Sequence, residues 1–203
     1  MSYHRIKATD CQEMSMSIRK VFAASSLVVA MLIMPTIIQA YQAKWTRQFL
    51  GDSLLSLELP GKLVAGETEQ VNDGKDWVKS TTEFNFENDD FFVQCSIFAG
   101  DRTTKADGPF LTKVMASVLE GVQQDGTTAV KVDSNKEDID KMPALVETHR
   151  VGTGKDQFLM KVALIGENNK VYAVIAVSFP DVTGSVEMGE RAIKSIRFTK
   201  TVK

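Results

Sequence analysis

Along most of the chain, apolar and polar residues alternate with a period of two, broken in two places by a period near 3.6. Leu55, Leu57 and Leu59 alternate with Ser56 and Glu58 before Pro60-Gly61 stops the run, which predicts a half-buried strand and a turn. Asp76 to Phe86 and Phe91 to Phe98 predict two more strands, joined across Asn88-Asp89-Asp90 as a hairpin. Ahead of them, Tyr41 to Gln48 lacks either period and reads as a linker.

Asp107-Gly108-Pro109 is a helix entry, with a capping carboxylate and a proline whose missing N–H costs nothing in the first turn. Apolar residues then recur at 111, 114, 115, 118, 119 and 122, one stripe of a helix that ends within Gln123 to Gly126. Four extended segments follow: Thr128 to Asp133, Ala144 to Val151, Gln157 to Gly166 and Val171 to Phe179. Asn168-Asn169 marks a tight connection between the last two. Val171 to Val177 is apolar on both faces, which places it centrally with a layer on either side. Val186, Gly189, Ala192, Ile193 and Ile196 form a second helical stripe. Arg197 and Lys200 suit the end of a helix reaching that far, and Ile196-Arg197-Phe198 is alternatively a short terminal strand. The pattern predicts an α+β fold, a mainly antiparallel sheet with amphipathic helices packed on it.

The longest apolar run lies outside this pattern. Arg19-Lys20 precede Val21 to Ile33, then Pro35 and Ile38-Gln39-Ala40, the layout of a secretory signal over residues 1–40. Asp10 and Glu13 make the preceding segment long and acidic for such a leader, so translation is expected to start at Met14 or Met16. The competing reading is a retained anchor, since Val21 to Ala40 has the length of a spanning helix, but Ser25, Ser26, Pro35, Thr36 and Gln39 dilute it. With the leader removed, residues 41–203 are expected to form a single globular domain in a bacterial periplasm or secreted, with no stable membrane anchor. No cysteine follows the apolar run to carry a lipid.

Charge narrows the partners. The leader holds Arg5, Lys7, Arg19 and Lys20 against Asp10 and Glu13, so the remaining chain has a formal net charge of −4. A nucleic-acid binder needs a basic face, and this chain lacks the charge for one. Cys95 is the one cysteine beyond the leader, so no intramolecular disulfide forms there. Period-two counting puts it with Phe91, Val93 and Ile97 on one strand face, as a buried thiol.

No catalytic, cofactor-binding or metal-binding set is expected from the motifs. His149 shares a strand face with Leu145, Glu147 and Val151 and is expected at a surface or edge; a Cys95–His149 nucleophilic pair is the sharper alternative. Glu87-Asn88-Asp89-Asp90 offers oxygen ligands without EF-hand spacing and reads as a solvated turn. Asp133 to Asp140, interrupted by Lys136, reads as a mobile polar loop. Gly152-Thr153-Gly154-Lys155 lacks the earlier glycine and following helix of a phosphate loop and reads as a hairpin turn. Tyr41, Trp45 and Phe49 either form an exposed docking arm or pack on their own sheet.

The strand ending Leu57-Glu58-Leu59-Pro60-Gly61-Lys62, the mid-chain helix, the hairpin and the ending Glu190-Arg191-Ala192-Ile193-Lys194-Ser195-Ile196-Arg197-Phe198 resemble the PsbP-like (Mog-type) α/β/α sandwich proteins. The resemblance covers most of residues 50–200 as an order of elements. It implies an accessory or binding role, since the group includes extrinsic photosystem subunits and many exported bacterial proteins, and it carries no shared catalytic set. The expected function is therefore an exported, non-catalytic protein that binds an unidentified protein or small ligand. The alternative is an exported hydrolase or other enzyme whose carboxylates, such as Asp76, Glu83 and Glu147, meet only in three dimensions.

Overall fold

The computed structural model describes residues 44–70, 77–101, 103–123, 127–153 and 156–199. The leader, Tyr41, Asp76 and Lys200 lie outside the described residues. Within them the elements run β1 (Thr46–Phe49), β2 (Leu55–Leu59), β3 (Val64–Gln70), β4 (Val78–Glu87), β5 (Phe91–Gly100), α1 (Gly108–Val122), β6 (Ala129–Ile139), β7 (Met142–Thr153), β8 (Asp156–Glu167), β9 (Lys170–Ser178), α2 (Ser185–Lys194) and β10 (Arg197–Phe198).

Seven strands pair antiparallel in the order β3-β4-β5-β9-β8-β7-β6, and a small sheet has the order β1-β2-β10. β9, the strand expected at the centre, is the fourth of the seven. Its Tyr172, Val174 and Ala176 enter one core with Leu55, Leu57 and Leu59 of β2, Phe91, Val93 and Cys95 of β5, and Ala192 and Ile193 of α2. Its Val171 and Ala173 enter a second core with Leu111, Val114 and Met115 of α1. The large sheet is thus covered on one face by α1 and on the other by α2 together with the small sheet.

Local signals account for the joints. Asp107 Oδ1 accepts the Phe110 N–H at 3.1 Å and caps α1. Asp140 and Lys141 both hold positive φ (51° and 72°), the geometry of a tight β6–β7 hairpin turn. Asp140 Oδ2 also accepts the Phe198 N–H at 2.7 Å, tying that turn to the small sheet. α2 lies so close to β9 that a Cβ on Gly189 would overlap Ser178 Oγ.

The departures from the pattern are on edge strands. Thr46 to Gln48 belongs to β1 (Thr46–Phe49) and is no linker, β3 has no counterpart in the hydrophobic pattern, and Asp133 to Ile139 continues β6 where a loop was expected. An edge strand is held by its backbone ladder and its side chains meet solvent on both faces, so no apolar period marks it. All seven residues of β3 are exposed. The exposed large hydrophobics, Phe49, Val64, Val130 and Val132, all sit on these three edges. At the C-terminal end the helix stops at Lys194 and Arg197–Phe198 pairs with β2, the terminal-strand alternative.

Candidate functional site

Because Leu55, Leu57 and Leu59 face the core, the alternate residues Ser56 and Glu58 project to the opposite face of the strand, where Ser56 is fully covered and Glu58 is half-buried. β1 places Arg47 opposite Glu58, and β10 places Arg197 opposite Ser56. The polar side of α2 runs alongside. The result is an open groove of about 500 Å³ lined by Arg47, Glu58, Glu190, Arg191, Lys194 and Arg197, with Glu187 and Ser195 completing it.

The groove is prearranged by its own bonds. Arg47 Nη1 donates to Ser56 Oγ and to the Ser195 carbonyl, both at 3.1 Å, and Nη2 donates to Glu58 Oε1 at 3.2 Å. Arg191 Nη2 lies 3.6 Å from the other Glu58 oxygen. Its guanidinium sits 4.2 Å over the Trp45 ring, and Trp45 stacks on Phe91 of the core. Ser195 Oγ accepts the Glu58 N–H and donates to the Ala192 carbonyl, both at 2.7 Å. Arg197 Nη1 donates to the carbonyls of Lys194 (3.1 Å) and Ile196 (2.6 Å), so it also serves the end of α2. Lys194 donates to Glu190 at 2.6 Å; that bond, with the Lys161 charge, holds the Glu190 carboxyl below its ordinary range.

A second charged cluster lies under the other layer. Glu147 is 5% exposed; its Oε1 accepts from Lys131 Nζ at 2.7 Å and Ser134 Oγ at 3.1 Å. Its Oε2 is 2.9 Å from His149 Nε2. A carboxylate at Glu147 makes Nε2 the donor, and the buried His149 Nδ1 has no partner among the described residues. Burial alone would raise the Glu147 carboxyl, but the bonds from Lys131, His149 and Ser134 outweigh it and hold it below the ordinary carboxylate range.

His149 is therefore no surface histidine: it is 1% exposed, because its strand face is the one α1 covers. Cys95 belongs to the core on the opposite face of the sheet, three strand steps from β7, so the two form no nucleophilic pair. Burial pushes the Cys95 thiol up to about 12, which leaves it protonated and inert. Glu83 on β4 and Glu147 on β7 are four strand steps apart, roughly 19 Å at the usual ~4.8 Å spacing, and share no site. Asn88 Oδ1 accepts the N–H of Asp90 and Phe91 and closes the expected hairpin turn. Among the described residues no cluster of three or more His, Cys, Asp or Glu could hold a metal. Trp45 packs on its own core, while Phe49 is 51% exposed. The groove residues escape sequence reading because β2 and β10 meet across some 140 positions of chain; the one signal was the polar Ser56 and Glu58 of the alternating run.

No protein-family model and no curated protein matches the chain. Among solved structures it is similar to the solution structure of cyanobacterial PsbP (CyanoP) from Synechocystis sp. PCC 6803, with a TM-score of 0.51 and 14% identity over 87% of this chain and 98% of that one. It is also similar to a Pseudomonas aeruginosa protein of unknown function, with a TM-score of 0.40 and 16% identity over 74% of this chain and 91% of that one. The first likeness gives the chain a PsbP-like fold, and at that identity it speaks of fold alone.

Proposed function

We propose that the chain is exported and acts as a non-catalytic accessory protein, docking a partner protein on the groove between α2 and the small sheet. The observation that carries this reading is the Arg47–Glu58–Arg191–Trp45 array, held in position by its own contacts. Arginine and tryptophan are the residues most enriched where interfaces bind tightly. Side chains already fixed lose less freedom on binding. A small ligand is usually buried in an enclosed apolar pocket, whereas this groove is open and lined by charged residues, which favours a protein surface. Export rests on the leader at residues 1–40, and a PsbP-like fold fits that location. Among the described residues no helix is long and apolar enough to cross a membrane.

In-cell crosslinking tests the docking face. A photoreactive side chain at Arg197 should give one discrete adduct that R191E abolishes, while the same group at Lys113, exposed on α1 across the sheet, gives none. Labelling of equal pattern from both positions, or none from Arg197, would end the reading. N-terminal sequencing of the mature protein tests export separately, with Tyr41 the expected first residue.

A further inference from the structure

β6 is an edge strand whose residues Val130 to Lys136 are all exposed, so hydrophobic burial does little to hold it. Its ladder to β7 is interrupted by a register shift between Lys131 and Asp133. Among the described residues, two β6 side chains bond to β7, Lys131 and Ser134, and both end on the same atom, Glu147 Oε1. They flank the break in the ladder. One carboxylate thus supplies the side-chain fastening at the place where the backbone fastening is weakest.

We propose that Glu147 is an acid-released latch for β6: ionised, it pins the edge strand, and protonation frees β6 and bares the outer edge of β7. A protonated carboxyl loses the charge that strengthens both bonds. Lys131, whose side chain is 53% exposed, then returns to water at little cost, while Glu147 stays covered. The groups facing Glu147 are few. β6 brings Lys131 and, one pair beyond Ser134–Glu147 on the same face, the exposed Lys136; β7 brings His149, and β8 sets the apolar Val162 opposite. α1 brings Leu111, Val114 and Met115 to this core, while its charged Lys113 and Glu120 are exposed. Since the bonds around Glu147 hold its carboxyl below the ordinary range, the latch stays shut at neutral and mildly acidic pH and opens in stronger acid. The released β7, still paired with β8 on its inner side, would bare the backbone groups of alternate residues between Met142 and Val151, an edge able to accept a strand from another chain. This device lies on the face away from the groove and does not depend on the docking reading.

Residue-resolved amide exchange on the full chain tests it, with E147Q standing in at neutral pH for the protonated state. Amides of the β6–β7 ladder should lose about tenfold or more of their protection in E147Q, while those between β5 and β9 are unchanged. The wild-type chain in acid should show the same pattern after correction for intrinsic exchange rates. Unaltered β6 protection in E147Q, or equal loss across every strand, overturns the proposal. Should E147Q fail to fold, K131Q/S134A removes both donors and leaves the charge beside His149. Loss confined to β6 in that variant supports the latch, and retained protection refutes it.

Discussion

Glu58 and Glu147 have the same local design in different surroundings. Each projects from a strand, accepts a cationic side chain from the neighbouring strand on one oxygen, and has a second basic partner near the other. Glu58 is 35% exposed at the groove, and water competes with Arg47 and Arg191 for it. The Glu147 side chain is 6% exposed beneath α1, where its loss leaves the buried His149 with nothing to bond. The same pairing is therefore a stability element under the helix and a presentable surface in the groove. Burial decides which, far more than distance does.

The widest gap between the two is expected on deletion. Glu147→Ala should cost about 2–3 kcal/mol in urea denaturation, because it leaves the buried His149 without its partner, while the half-exposed Lys131 returns to water. A cost under about 1 kcal/mol would put Glu147 in the same class as Glu58 and collapse the comparison. Acid sharpens the contrast. The folded-state pKa of Glu147 is lowered, so the unfolded chain binds the proton more readily in the window between the two values. Its stabilisation is therefore full above the unfolded carboxylate value and lost as pH falls through the folded one. The stability difference between wild type and E147Q should narrow on acidification, and a difference that widens would show the sign to be wrong.

Gly189→Ala probes the groove's support without touching its charges. The added methyl meets Ser178 Oγ and pushes α2 off β9, at an expected cost of about 1–3 kcal/mol in thermal or urea unfolding. Protection of the β6–β7 ladder should survive, since α2 lies on the other face of the sheet; loss there would show that the two layers are coupled. The smallest effect belongs to Glu58→Gln, expected at about 0–1 kcal/mol and diminishing further in high salt. A larger, salt-insensitive loss would mean that Glu58 is effectively buried by its arginines.

Much of the fold follows from periodicity alone. The leucines of β2, the doubly apolar β9 and the capped stripe of α1 each carry a pattern that an isolated segment can express, because burial on one face or two dictates residue type at a fixed spacing. β1, β3 and the second half of β6 carry no such mark. Their strand state comes from backbone pairing with the next strand along the chain, which leaves side-chain identity nearly free. The groove and the Glu147 cluster stand at a further remove. Period-two counting put Leu145, Glu147, His149 and Val151 on one face, yet whether that face met water or α1 depended on where a helix some thirty residues upstream came to rest. Charge pairing and solvent access are relations between segments, so only the assembled sheet and its covering layers decided which carboxylate was sealed and which was offered.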